Sequence, residues 1–350
     1  MKAINSSGAA EVPGAEMSRA GVVFGLLLLL VTVGGLVAYK AAGSLAVIGK
    51  VQATGALTPR FDLMTAGAFE RTLSYFETVW PALLFGVLIS GAVRAFVSPR
   101  WLAGLFGGGR VRSQVVAGLA GAPLMLCSCC VAPVFTSVYE RSSRLAPSLA
   151  LMLAAPSLNP AALFLTFLLF GGEFGAVRLA AAAACVLLTG TLAERVFRLN
   201  PAACPAGEGA GVAGGGVVSL AGSFARSSLK VAVQTVPLII AGVFVSMLLA
   251  RWLPVGWSGS GPAQVLAVLV VAAVAVPLAL PTFFEIPLAF LLVGAGMPEG
   301  AAVALLVAGP ATNLPSLLTV GRSTDWRVCA LVGAAVWATA AAAGLLVNYL

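Results

Sequence analysis

Apolar runs long enough to cross a lipid bilayer recur along the whole chain. A hydrocarbon core of roughly 30 Å needs about 20 mostly apolar residues, and Gly21 to Tyr39 forms the first such run. A second extends from about Leu73 to Phe96, with others near residues 145–170, 176–197, 230–250, 299–320 and 328–349. Two further stretches, 114–140 and 262–297, are apolar but interrupted by proline. The pattern predicts an all-α polytopic membrane protein with about seven to nine transmembrane segments.

The polar intervals divide these runs. Residues 1–18 are polar and small, and read as a disordered cytoplasmic tail. Residues 19–71 read as an extra N-terminal transmembrane helix and an external loop; no A-x-A site follows the helix, so it is expected to be retained. Residues 72–198 form a first transmembrane repeat and 229–350 a second. Between them, 199–228 has the Gly/Pro composition of a flexible linker. The repeat shows in paired markers: Pro123 with Pro277, Pro133 with Pro287, Pro156 with Pro310 and Asn159 with Asn313, all at an offset of 154. Pro81, Gly86 and Ser90 pair with Pro237, Gly242 and Ser246 at an offset of 156.

Charge sets the orientation of the halves. Arg94, Arg100, Arg110 and Arg112 precede the first proline-broken stretch, and Arg141 and Arg144 follow it. If both clusters are cytoplasmic, 114–140 enters and leaves on one side, as a hairpin. The same rule places Arg195, Arg198, Arg226, Lys230, Arg322 and Arg327 inside, and Glu173 and Glu299 outside. Each half then crosses an odd number of times, which inverts the second relative to the first, a common transporter plan. A full crossing by 262–297 would break that symmetry.

Composition agrees. Of 350 residues, 60% are hydrophobic and 9% charged, with mean hydropathy +1.04, against about 25% charged in soluble domains. The net charge of +8 resides in short loops and is no nucleic-acid signature. There is no histidine, so a Ser/His/Asp set is impossible and any metal site must use sulfur, oxygen or backbone. No P-loop is present. The chain is not expected to be an enzyme or to need a cofactor; its expected partners are the bilayer and a small solute, and a homo-oligomer is compatible with it.

The chemistry concentrates in the first broken stretch, Pro123-Leu-Met-Leu-Cys127-Ser128-Cys129-Cys130-Val-Ala-Pro133. Prolines ten apart predict unwound backbone between them, which membrane depth tolerates only where it is buried in protein or lines a cavity. Cys127, Cys129 and Cys130 are candidate ligands for a soft metal such as Cu(I) or Zn(II), with Ser128 beside them. Read as C-x-C-C, the cluster argues against a thioredoxin-like redox motif. Cys185 and Cys329, alone in alanine-rich runs, read as small apolar packing residues, and Cys204 falls in the linker. In the second half, Thr282 matches Ser128, and Glu285 is a carboxylate in an apolar run, a candidate proton carrier. Glu77 is a second such candidate, with an interfacial position as its alternative. Asn159 and Asn313, each flanked by prolines, read as helix caps, substrate contacts or both. The proline breaks at Pro123, Pro133, Pro156, Pro277, Pro287 and Pro310 are candidate hinges.

The motifs P-x-x-x-C-S-C with a later P-S-x-N-P, and P-x-x-x-x-x-x-E-I-P with a later G-P-A-T-N-x-P, resemble the bacterial predicted-permease family of the YraQ/ArsP type, over roughly residues 70–345. The resemblance implies a multi-span efflux permease, with members associated with trivalent organoarsenicals or heavy-metal ions. Carried over by position, its motifs fall on Cys127, Ser128 and Cys129, on Glu285, Ile286 and Pro287, and on Asn159 and Asn313. The expectation is a bacterial inner-membrane, multi-pass permease exporting a soft metal or thiol-reactive metalloid. Its rivals are a carrier of a small organic or sulfur compound with structural cysteines, a membrane thiol redox protein cycling a Cys127–Cys130 or Cys129-linked disulfide, and a non-transporting subunit of a larger membrane complex.

Overall fold

The computed structural model describes residues 19–54, 67–97, 99–106, 109–197, 217–249, 261–280 and 284–349. Among them the regular structure is helical. The chain opens with α1 (Arg19–Thr54), α2 (Ala68–Phe96) and a short α3 (Pro99–Leu105). Next come α4 (Arg110–Gly121), α5 (Ser128–Ser142), α6 (Leu145–Ser157), α7 (Pro160–Phe170) and α8 (Gly172–Val196). The second half contains α9 (Val217–Leu249), α10 (Pro262–Ala275), α11 (Glu285–Gly294), α12 (Glu299–Ala311), α13 (Leu314–Ser323) and α14 (Trp326–Tyr349). Five of these helices are long and apolar enough to cross a bilayer: α1, α2, α8, α9 and α14. The pairs α6–α7 and α12–α13, bent by 43° and 45°, raise the number to seven if each is one broken span, the lower end of the expected range.

Both broken stretches are hairpins. Gly190 touches Gln114 near the start of α4 and Ala146 at the start of α6, while Gly121 at the end of α4 packs on Leu151. α4 therefore climbs alongside α6. α5 descends again, ending at Ser142, just before Leu145. Ser143, with φ 52°, makes the reversal between α5 and α6, the left-handed residue that commonly ends a helix. The second half repeats the design. At the end of α10, Val276 and Pro277 offer their carbonyls to Thr312 Oγ1 at 3.3 Å and Leu314 N at 3.0 Å, at the α12–α13 break. Val268, earlier in α10, shares Gly344 as a neighbour with Gly300 at the start of α12. α11 starts beside Gly309 and ends just before α12 begins. At 14 and 10 residues, α10 and α11 are each too short to cross alone, so the full crossing considered for 262–297 does not occur.

The hairpins open on opposite faces. α2 runs in the same direction as α5, with Ser90 Oγ donating to Pro133 O at 2.8 Å and Arg94 paired to Glu140 at 2.7 Å. α9 runs against α2: Gly91 meets Ser228, and Arg71 Nη1 donates to Met247 O at 3.3 Å. The second hairpin therefore starts from the face opposite the first. α4 packs on α6 as α10 does on α12, α6 on α8 as α12 on α14, and α7 on α8 as α13 on α14. Between the halves, α2 lies on α9 and α8 on α14. This is the inverted repeat.

Some expected limits move. Helix α9 begins at Val217, so the linker drawn through residue 228 must end by 216. α2 begins at Ala68 rather than residue 72. The tail 1–18, the core of the linker and Cys204 lie outside the described residues. Large apolar side chains such as Leu30, Val31, Leu84, Leu119 and Phe164 are exposed, forming a surface suited to lipid contact.

Candidate functional site

At the first hairpin's tip, a 3-10 turn over Ala122–Leu124 leads to Met125 in the left-handed region, φ 50°. The chain then runs extended to Cys127, the N-cap of α5. The irregular stretch is confined to this point. Pro133, expected to bound an unwound segment, sits inside α5 and is buried. The helix continues through it because the break is already complete before Ser128: Cys130 N and Val131 N both close on Cys127 O at 3.0 Å. Pro123 lies in the turn and is exposed.

Starting a helix between Cys127 and Ser128 turns the three thiols toward one another. Cys127 Sγ lies 3.2 Å from Cys129 Sγ and 2.6 Å from Cys130 Sγ, with Cys129 and Cys130 3.8 Å apart. The sulfurs all fall within 4.8 Å of one another. Cys129 and Cys130 are fully buried, and Cys127 keeps 4% exposure. Tyr75 of α2 places its hydroxyl 2.9 Å from Cys129 Sγ. Gly86 lets α2 approach the backbone of Cys130, leaving no room for a Cβ. Such a set can hold a soft cation through three sulfurs, and the positive end of the α5 dipole lies at the same place.

The second tip has different chemistry. Thr282 lies outside the described residues. Glu285 opens α11 and is 3% exposed. Its partner comes from the first half: Arg178 of α8 donates from Nη2 to its Oε1 at 3.0 Å and from Nη1 to Thr166 Oγ1 of α7. Arg178 is 1% exposed, and its Nε has no partner. This buried ion pair ties the first half to the second hairpin. Pro287 lies in the first turn of α11, where its missing N–H costs nothing. Pro277 lies just past α10, in the break.

The two amides cap the second member of each bent span. Asn159 Oδ1 accepts from Ala161 N at 3.1 Å and Ala162 N at 3.4 Å. Asn313 Oδ1 accepts from Ser316 N at 3.0 Å, while Ser316 Oγ accepts from Asn313 N at 3.0 Å. Both side chains are fully buried, and both Nδ2 atoms lack a partner. The bends therefore lie at the amides. Pro156 and Pro310 remain within the last turns of α6 and α12, so these two expected hinges precede the true breaks.

Glu77 joins neither site. It is exposed on α2. Cys185 is buried in α8 and Cys329 half-buried in α14, both apart from the thiol cluster. Tyr75, Arg178 and Thr166 were not expected. Arg178 carried the same signal as Glu285, a charge inside an apolar run. Tyr75 had none, since an aromatic in a span is ordinary.

Comparison with known proteins is consistent with this architecture. The chain is 30% identical over 270 residues to UPF0718 protein YraQ of Escherichia coli, covering 77% of each. It is 31% identical over 122 residues to UPF0718 protein YcgR of Bacillus subtilis, covering 34% of this chain and 42% of that protein. No solved structure matches it. The profile of the ArsP-type predicted permeases matches residues 64–349, taking in both hairpins and both bent spans and leaving out α1. A multi-pass helical protein with this match belongs to that family of predicted permeases.

Proposed function

We propose that this permease exports a soft metal ion or thiol-reactive metalloid, such as a trivalent organoarsenical, through the thiol site at the tip of the first hairpin. The observation that carries this reading is the convergence of the Cys127, Cys129 and Cys130 sulfurs within 4.8 Å, buried inside a bundle built for lipid. Three convergent sulfurs suit a soft cargo, because thiols are poor hydrogen-bonding partners for one another but strong ligands for soft ions.

The face from which the first hairpin starts carries Arg94, Arg112, Arg141, Arg144, Arg195, Arg226, Lys230, Arg322 and Arg327. By the positive-inside rule this face is cytoplasmic in a bacterial inner membrane, and cargo reaches the thiols from it. Asn159 and Asn313, with spare amide donors beside the bends, line the route and act as hinges. Glu285 is the candidate coupling carboxylate, and its pair with Arg178 at 3.0 Å joins the two halves.

The test is uptake into inverted vesicles carrying the purified protein. Methylated trivalent arsenic, arsenite, Zn(II) and Cu(I) are each supplied to wild type and to Cys127→Ser/Cys129→Ser. Flux of one solute that disappears in the double variant is expected. Equal flux in both would sink the sulfur-ligand reading and leave a carrier whose cysteines only pack.

A further inference from the structure

We propose that Cys127 and Cys130 are also a redox-active dithiol, which exchanges two electrons with a small disulfide and thereby opens and closes the thiol site. The C-x-C-C spacing counts against a thioredoxin-like motif, but the outer pair has two residues between its cysteines. Cys127 and Cys130 are separated by two residues across a helix start, with Cys127 as N-cap. Residues three apart on a helix share one face, and Cys130 N closes on Cys127 O at 3.0 Å, which holds the pair together. Their sulfurs form the shortest of the three contacts, 2.6 Å.

The other pairings are disfavoured. Cys129 and Cys130 are adjacent in sequence, too close along the backbone for ordinary disulfide geometry, and their sulfurs stand 3.8 Å apart. Cys129 is drawn toward α2 by the Tyr75 hydroxyl at 2.9 Å. All three thiols are buried, and Cys127, at 4% exposure against 0% for the other two, is the least enclosed and meets the oxidant first. Its thiolate attacks one sulfur of a low-molecular-weight disulfide, forming a mixed disulfide and releasing one small thiol. The Cys130 thiolate then attacks Cys127 Sγ, releasing the second. Two protein thiols and one small disulfide become one protein disulfide and two small thiols, and a dithiol reductant reverses the exchange. The oxidised form keeps only Cys129 as a free thiol in the cluster and cannot grip a soft cation through three sulfurs.

This chemistry depends on the geometry of the thiols and not on what they carry, so its test does not require transport. The full-length protein, with Cys185, Cys204 and Cys329 replaced by alanine, is oxidised with glutathione disulfide in membranes. It is then denatured, and its thiols are counted by maleimide mass shift before and after dithiothreitol. The expected result is three thiols falling to one and returning to three, with a loss of two hydrogen masses and no adduct. Cys129→Ser should still lose two, whereas Cys130→Ser should stop at a glutathione adduct on Cys127. Three thiols persisting in oxidant, or a loss that requires Cys129, would overturn the proposal. Cd(II) binding, read on the same samples, should fall at least tenfold on oxidation. Reversible loss of two thiols in a protein that binds no Cd(II) even when reduced would uphold the dithiol exchange and overturn its control of a soft-cation site.

Discussion

The Tyr75 hydroxyl and the Cys129 sulfur are both fully buried, and they meet at 2.9 Å. Deleting the hydroxyl removes that hydrogen bond, at a cost of about 1 kcal/mol. Tyr75→Phe should weaken Cd(II) binding by several-fold without unfolding the protein, read by isothermal titration in detergent. The Arg178–Glu285 pair is a larger commitment. Removing one member of a buried pair typically costs about 3–5 kcal/mol, because the other charge is left stranded. Arg178→Met should lower the melting temperature sharply, and Arg178→Met/Glu285→Leu should recover most of the loss. Equal damage in the single and double variants would show that the pair contributes no coupling.

Among elements, the fit of α5 against α2 governs the thiol cluster. A Cβ at Gly86 would overlap the Cys130 carbonyl, and backbone cannot swing aside as a side chain can. Gly86→Ala should therefore displace the first hairpin and abolish three-thiol binding. Gly118→Ala, where the nearest atoms are 3.6 Å and 3.7 Å away, should bind normally and serve as the control. The bent spans depend on their caps. Asn313→Ala removes the acceptor for Ser316 N and should cost about 1 kcal/mol of stability, measured by thermal unfolding. Asn313→Ser keeps a capping oxygen without adding a charge and loses the spare Nδ2 donor, so it separates capping from cargo contact: normal stability with reduced flux would assign the amide to the route.

For the whole molecule, the inverted repeat predicts sidedness. The turn at Ser143 and the α13–α14 turn near Asp325 lie on one face, and Gly171 and Gly296 on the other. Single cysteines introduced at these positions in a cysteine-free background should divide into two labelling classes with a membrane-impermeant maleimide. Right-side-out and inverted vesicles should give opposite patterns. Labelling of positions 143 and 171 from the same side would break the topology.

Much of this plan was legible in the chain itself. Hydrophobic run length determines what can cross a bilayer, because lipid leaves backbone groups no partner but their own helix. The spans, the 154-residue offset, the hairpin reading of the basic clusters and the cysteine motif therefore appear in sequence order. The sequence alone left undecided what depends on long-range contacts and on where each helix begins. Starting α5 at Ser128 rather than unwinding to Pro133 brought the three thiols together. Packing α2 on α5 supplied Tyr75, and packing α8 on α11 turned Glu285 from a lone carboxylate into half of an ion pair. Composition and periodicity determine which segments leave water; only tertiary packing decides which side chains meet there, because a buried polar group takes its chemistry from its partners.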